Sequence, residues 1–176
     1  MNIGKELAEA INEQINAEFW SAYLYLSMSS YFEAQGRKGF AHWFRIQFQE
    51  EQAHALTFMA YLHARDARPV LEAIPDVPKD WESPVACFTA VLEHEQKVTS
   101  LINDLYALAE AEKDFATRQM LNAYIAEQVE EEEHVRDILD DLRLVANDGT
   151  GMLQLDRELA ARTFTAPNLG YNFGNA

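Results

Sequence analysis

The chain has little of what a disulfide scaffold, a zinc finger or a membrane protein requires. Its only cysteine is Cys87, so neither an intramolecular disulfide nor a multi-cysteine metal centre can form within one chain. No apolar run approaches the roughly 18 residues of a membrane span. The first ten residues carry Lys5, Glu6 and Glu9 without the apolar region of a signal peptide. We therefore expect a cytoplasmic protein that makes no contact with a membrane.

Basic residues are also scarce. The 176 residues include 14 Lys and Arg against 29 Asp and Glu, which leaves a formal net charge of -15. This balance argues against nucleic acid or an anionic membrane as a partner and favours cations. Acidic composition is common among soluble proteins, however, so the positions of the carboxylates have to decide the matter.

Seven glycines, five prolines and a lack of β-branched clusters indicate an all-α protein. Four long segments repeat apolar residues at alternating spacings of three and four, as amphipathic helices do. In the first helix Leu26 or Ser29 continues the apolar stripe, and in the third Leu101 or Ile102 does so. The helices are predicted from about Lys5 to Ala34, from near Lys38 to beyond Leu62, from about Val85 to Glu112 and from about Phe115 to Val145.

The connections between these helices predict the topology of a four-helix bundle. Short breaks near Gly36 and Asp114 indicate two hairpins, whereas the proline-rich stretch from Arg65 to Pro84 is typical of a long crossover. Such a crossover lets the second and third helices run parallel.

The C-terminal part is predicted to contain a short fifth helix from Met152 to about Thr163, after a break at residues 147–151. This helix adds little to a four-helix core, so we expect it to dock elsewhere, including against neighbouring subunits. We divide the chain into a bundle domain, residues 1–165, and a polar tail, residues 166–176.

Polar residues interrupt every apolar stripe near its middle. They are Glu18 on the first helix, Glu51 and His54 on the second, Glu95 on the third, and Gln128 and Glu131 on the fourth. Burying an isolated ionised carboxylate costs several kcal/mol, so four such breaks predict a shared positive partner. Because no Lys or Arg is in phase at these levels, metal ions are the economical partner.

Depth along the hairpins supports this prediction. Glu18 lies eighteen positions before Gly36 and His54 lies eighteen after it, so the two should meet. Glu95 and Glu131 lie nineteen positions before and seventeen after Asp114. Both hairpins therefore place their polar residues at one level.

Glu51-Gln52-Ala53-His54 presents a carboxylate and an imidazole from adjacent helical turns. Carboxylates with a single imidazole suit ferrous iron, although this donor set also accepts zinc or manganese. Two metal ions would share the ligands. Glu51 is the natural bridge, with Glu18 and His54 on one ion and Glu95 and Glu131 on the other.

At these residues the sequence resembles the bacterial non-haem ferritins, over most of the chain from about Ile3 to Phe164. The matching stretches are Gln14 to Tyr25, Glu50 to His54, Glu93 to Gln96 and Glu127 to Glu132. The resemblance implies a ferritin-like four-helix bundle that forms a homo-oligomeric shell of twenty-four subunits. It also implies oxidation of Fe(II) by oxygen or hydrogen peroxide at an intrasubunit diiron site, and storage of a ferric mineral inside the shell.

The resemblance also assigns residues. It implies one iron site at Glu18, Glu51 and His54, and a second at Glu51, Glu95 and Glu131 with Gln128 close by. Tyr25 matches a tyrosine near the diiron centre, either as a redox participant or as a packed bundle residue. A third iron site is implied at Glu50, Glu127, Glu130 and Glu131, where the alternative is a solvated acidic face.

Two alternatives concern the fourth helix and haem. Bacterioferritins carry a second Glu-x-x-His on this helix, and Glu131 to His134 could form one, but depth and phase favour Gln128 and Glu131. Gln52 stands where bacterioferritins place the methionine that ligates haem, so we expect no haem.

A competing function is that of a diiron oxidase or peroxidase of the rubrerythrin or oxygenase type. Rubrerythrins need a four-cysteine centre, which one cysteine cannot form. Mini-ferritins that bind DNA place their ligands across a subunit interface, whereas a single chain here supplies a full set.

Overall fold

The computed structural model describes residues 2–145 and 148–171. Within these ranges the chain forms five helices and no strand, which confirms the all-α prediction. The helices are α1, Lys5–Ala34; α2, Lys38–Ala64; α3, Pro84–Ala111; α4, Phe115–Val145; and α5, Gly149–Leu159. None of these helices is long and apolar enough to cross a membrane.

Local chemistry explains where the long helices begin and end. Gly36 adopts a left-handed conformation, φ 72°, and closes the turn between α1 and α2. The Asp114 carboxylate accepts a hydrogen bond from the Thr117 amide and starts α4. Ser83 caps α3 in the same way through the Ala86 amide, so α3 begins at Pro84, one residue earlier than predicted.

Pairs of residues across the bundle establish its topology. His54 on α2 contacts Tyr124 on α4, and Gln47 on α2 bonds Glu131 on α4, so these two helices run antiparallel. The hairpin at Asp114 makes α3 antiparallel to α4, and therefore α2 and α3 are parallel. The crossover at residues 65–83 contains no helix, as its prolines predicted.

A polar layer divides the core of the bundle into two apolar clusters. One cluster contains a group of aromatic rings that includes Phe32, Phe44 and Phe88, and the other includes Phe58 and Leu105. The two alternatives in the predicted stripes are also decided. Ser29 is buried and Leu26 is exposed, while Ile102 is more deeply buried than Leu101.

The fifth helix differs from its prediction in both bounds. It starts at Gly149 instead of Met152, because the Asp148 carboxylate accepts hydrogen bonds from the Thr150 and Gly151 amides and caps the glycine-rich stretch. It ends at Leu159, four residues before Thr163. Residue 147 of the predicted break lies outside the described residues.

The expectation that α5 docks away from its own bundle was wrong. Leu155 and Leu159 bury their side chains in the aromatic cluster. The Asp156 carboxylate accepts hydrogen bonds from the Gly39 and Phe40 amides, 2.9 and 3.1 Å, and thereby caps the start of α2. Amphipathic periodicity reveals the apolar face of such a helix but not the surface that covers it.

The C-terminal segment also contacts the bundle. Leu169 is buried in the second apolar cluster, and the ring of Tyr171 meets that of Tyr61 edge to face at 5.1 Å. Residues 172–176 of the predicted tail lie outside the described part of the chain.

Candidate metal centre

Each long helix brings one or two polar side chains into the layer between the apolar clusters. All of these side chains are nearly inaccessible to solvent, with exposed fractions between 1% and 8%. They are Glu18, Glu51, His54, Glu95, Gln128 and Glu131, the residues that the interrupted stripes predicted. Four buried carboxylates at one level are a large electrostatic cost unless a cation balances them.

The innermost group consists of Glu18, Glu51 and His54. One donor atom from each of these side chains lies within 4.8 Å of the others. Within the described residues, Glu18 Oε2, Glu51 Oε2 and His54 Nε2 are buried and have no hydrogen-bond partner. Two carboxylates and an imidazole that meet within this distance, with one oxygen or nitrogen of each left without a partner, fit a divalent metal ion by their chemistry.

The imidazole of His54 lies between two carboxylates. Its Nδ1 is 3.5 Å from Glu51 Oε2, and its Nε2 is 3.4 Å from Glu127 Oε1. Neither Glu51 Oε2 nor His54 Nε2 meets hydrogen-bond geometry. These contacts are therefore electrostatic, and a metal ion that binds here does not have to break a hydrogen bond at either atom.

The carboxylates of α3 and α4 are held by hydrogen bonds. Glu95 Oε1 accepts from the Tyr25 hydroxyl, and Glu95 Oε2 accepts from Gln128 Nε2 at 3.1 Å. Glu131 Oε2 accepts from Gln47 Nε2 at 2.9 Å. Glu95 and Glu131 lie in the same buried layer but do not join the compact group of Glu18, Glu51 and His54.

Burial and mutual repulsion disfavour the charged forms of Glu51 and Glu95. Burial raises the pKa of Glu51, and the neighbouring Glu18 and Glu95 add to the effect while His54 opposes it. Burial together with Glu131 raises the pKa of Glu95 to about 7, against the hydrogen bonds from Tyr25 and Gln128. For His54, burial opposes protonation, but Glu127 and Glu51 outweigh it and raise the pKa. A bound cation would favour the charged carboxylates.

Tyr25 lies directly against the cluster. Its ring stacks on Phe44 at 6.0 Å and meets His94 edge to face at 6.0 Å. Burial, with the Glu95 and Glu51 carboxylates, raises the pKa of its hydroxyl well above the ordinary value. The phenol therefore stays protonated and acts as a hydrogen-bond donor to Glu95.

The residues of the expected third site are spread over the flank of the cluster. Glu127 approaches His54, Glu50 lies 2.6 Å from Arg162, and Glu130 is exposed. Burial raises the pKa of Glu50 to about 7, although Arg162 opposes the shift. His134 is exposed, unlike the buried Glu131, which removes it from the inner cluster.

Sequence reasoning missed three contributors to the site. Gln14, one turn before Glu18, donates to Glu18 Oε1 at 2.8 Å, and Gln47, one turn before Glu51, donates to Glu131. Both are buried at helical spacing from a predicted ligand, which is a signal that could have found them. Arg162 lies beyond α5, and no periodicity within the bundle could place it beside Glu50.

The chain is similar to known proteins along most of its length. Residues 8–145 match the Ferritin-like domain family. A bacterial non-heme ferritin of Bacteroides fragilis is 42% identical over 160 residues, which cover 91% of this chain and 99% of that protein. One from Staphylococcus aureus is 33% identical over 162 residues, 92% of this chain and 98% of that protein.

Solved structures agree with this match. An open-pore ferritin from the archaeon Archaeoglobus fulgidus superposes with a TM-score of 0.91 at 48% identity, covering 92% of this chain and all of that one. An engineered closed form of that ferritin gives 0.92 at 49% identity. The sequence match over residues 8–145, the bundle topology and the buried carboxylate layer lead to one conclusion: the chain belongs to the ferritin-like family.

Proposed function

We propose that this chain is an iron-storage ferritin subunit that oxidises Fe(II) to Fe(III) within its own helical bundle before the iron is stored. The observation that carries the proposal is the convergence of Glu18, Glu51 and His54, which are all buried and bring one donor atom each to within 4.8 Å of the others. Iron is here a substrate and cargo that enters, is oxidised and moves on.

One Fe(II) binds to Glu18, Glu51 and His54, whose donor atoms already face one another. A second Fe(II) binds to Glu51, Glu95 and Glu131, with Gln128 beside it, so that Glu51 bridges the two ions. Each carboxylate oxygen has two lone pairs, so Glu95 and Glu131 can bind the ion while they still accept hydrogen bonds from Tyr25, Gln128 and Gln47. The neutral Gln128, which stands where a charged ligand could stand, makes the second ion the more weakly held.

The chemistry balances without any resident cofactor. Two Fe(II) ions held by one bridging carboxylate give one electron each to oxygen or hydrogen peroxide. If oxygen is the oxidant, it takes up two electrons and two protons and leaves as hydrogen peroxide. If hydrogen peroxide is the oxidant, it takes up two electrons and two protons and leaves as two molecules of water. The buried layer excludes bulk water and holds the two ions close enough to react together. Tyr25 positions Glu95 through its hydroxyl.

The oxidised iron leaves along the flank that carries Glu50, Glu127 and Glu130, which constitute a third iron site for transit with Glu131. Carboxylates without an imidazole favour the harder Fe(III) over Fe(II). The subunits assemble into a homo-oligomeric shell of twenty-four chains in the cytoplasm, and no haem, nucleic acid or membrane takes part. The family match over residues 8–145 supports the assembly.

The decisive experiment compares two double variants of the assembled protein. Glu51→Ala with His54→Ala removes a carboxylate and the imidazole from the inner group. Glu133→Ala with His134→Ala removes the same two groups from the exposed face of α4 and serves as the matched control. We expect the first variant to lose fast aerobic oxidation of Fe(II) and the second to keep it. Equal oxidation rates in both would contradict the assignment.

Size and iron content separate storage from a diiron oxidase. A storage protein forms a particle near twenty-four times the 20.1 kDa of the chain and takes up far more than two irons per chain. An oxidase or peroxidase of the rubrerythrin or oxygenase type retains about two irons per chain at any loading. Size-exclusion chromatography with iron analysis measures both quantities.

A further inference from the structure

Arg162, which follows the end of α5, reaches Glu50 on α2. Its Nη2 lies 2.6 Å from Glu50 Oε2, and the two side chains are only 21% and 15% exposed. A guanidinium that donates to a carboxylate in such partial burial makes a strong, charge-assisted hydrogen bond. Glu50 immediately precedes Glu51, so this ion pair adjoins the inner cluster of buried ligands.

The position of Arg162 is supported by several contacts besides Glu50. Its guanidinium lies over the ring of Trp43, 4.8 Å from the centroid. The Nε2 of His42 lies at hydrogen-bond distance, 2.8 Å, from the Arg162 carbonyl oxygen. The helix before it is fastened to the start of α2 by Asp156. These contacts hold the guanidinium at a defined position beside Glu50.

Both partly buried carboxylates on this flank are engaged by groups of the chain. Glu127 Oε1 faces His54 Nε2 at 3.4 Å, and Glu50 Oε2 faces Arg162 at 2.6 Å. A metal ion on the flank would compete with the imidazole for the first oxygen and with the guanidinium for the second. The competitor at Glu50 is a permanent positive charge, which also repels an approaching cation.

We propose that Arg162 is an internal counter-cation that limits metal binding on this flank, because its guanidinium neutralises Glu50 and holds the carboxylate oxygen that a third metal ion would use. The proposal rests on the proposed function, since the flank matters only if the inner cluster passes iron to it. A weak flank site keeps oxidised iron moving toward storage. The C-terminal segment thus acts on iron transit although it contributes no ligand.

The test uses Arg162→Gln in the full, iron-free assembly, with terbium(III) as a redox-inert, hard cation for the carboxylates. Removal of one adjacent positive charge should tighten terbium binding by at least about tenfold. Arg162→Lys, which keeps the charge, should bind terbium with an affinity close to that of the unmodified protein. Arg143→Gln removes the same charge from an exposed pair with Asp140 and should leave the affinity unchanged.

Zinc titration of the same variants reports on the inner cluster and separates the two proposals. If Arg162→Gln binds zinc at the inner cluster but its terbium affinity is unchanged, only the proposal for Arg162 is overturned. A lower melting temperature without tighter terbium binding would assign Arg162 to tethering and would also overturn it. If the unmodified protein binds no zinc at the inner cluster, the proposed function is refuted instead.

A second variant keeps the test valid if Arg162→Gln does not assemble. Arg162→Met, which removes the charge but keeps an unbranched side chain against Trp43, should tighten terbium binding by the same factor of about ten. An unchanged terbium affinity in assembled Arg162→Met would contradict the proposal.

Discussion

Arg65 and Asp114 form a two-pronged ion pair that ties the end of α2 to the start of α4. Arg65 Nη1 donates to Asp114 Oδ1 at 3.0 Å, and Nη2 donates to Oδ2 at 2.6 Å. Both side chains are only 12% exposed. Because Asp114 Oδ1 also caps α4 through the Thr117 amide, one carboxylate connects two helices that are remote in sequence.

Asp114→Ala should destabilise the protein by about 1–2 kcal/mol per chain, since it removes both the cap and the ion pair. We expect the melting temperature to fall by roughly 2–8 °C. Differential scanning calorimetry of the iron-free assembly measures the change. Asp140→Ala breaks only an exposed pair with Arg143 and serves as the control, which should melt like the unmodified protein. Equal falls in melting temperature in both variants would show that the ion pair with Arg65 adds nothing to the stability of the protein.

The same pair predicts a loss of stability in acid. Its hydrogen bonds to Arg65 lower the pKa of Asp114 from 3.8 to about 2. A carboxyl whose folded pKa is depressed stabilises the fold above its unfolded pKa, and this contribution disappears as the pH falls through the folded pKa. The difference in melting temperature between unmodified protein and Asp114→Asn should therefore shrink between pH 5 and pH 2. A constant difference over that range would contradict the pairing.

Gly39→Ala should displace α5. A Cβ at position 39 would come 1.5 Å from the Asp156 carbonyl oxygen, and backbone atoms cannot yield as a flexible side chain does. We expect faster amide hydrogen exchange throughout α5 and a weakened contact between Arg162 and Glu50. Gly149→Ala is the matched control, because a Cβ there meets nothing within 4 Å. Unchanged exchange in Gly39→Ala would mean that α5 docks less tightly than the contacts with Asp156 indicate.

Glu95→Gln should stabilise the iron-free protein while it weakens metal binding. The substitution keeps an oxygen that can accept from the Tyr25 hydroxyl, its new NH2 group can donate to Gln128 once that amide turns over, and it removes one of several clustered buried carboxylates. A gain of about 1 kcal/mol corresponds to roughly 2–4 °C in melting temperature. Calorimetry together with zinc titration provides both readouts. A lower melting temperature with unchanged zinc affinity would assign Glu95 a structural role instead.

Much of this fold could be predicted because its helices are long and strongly periodic. The bounds of α1 and α4 agree with the prediction, since Gly36 and Asp114 are local signals that act within one turn. The common depth of Glu18 and His54 along the bundle could be predicted as well, because equal distance from a hairpin turn places two residues side by side. Their donor atoms do meet within 4.8 Å.

Periodicity and distance from a turn are local properties of the chain, so the helices, the crossover and the set of buried polar residues could be derived from the order of the amino acids. The docking site of α5, and the contact that Arg162 makes with Glu50 across a separation of 112 residues, became evident only from the packing of the helices. The packing also shows which buried polar atoms of the described residues lack a hydrogen-bond partner and which are held by Tyr25, Gln47 and Gln128. Such contacts depend on how separate helices pack against one another, and spacing along the chain does not encode that packing.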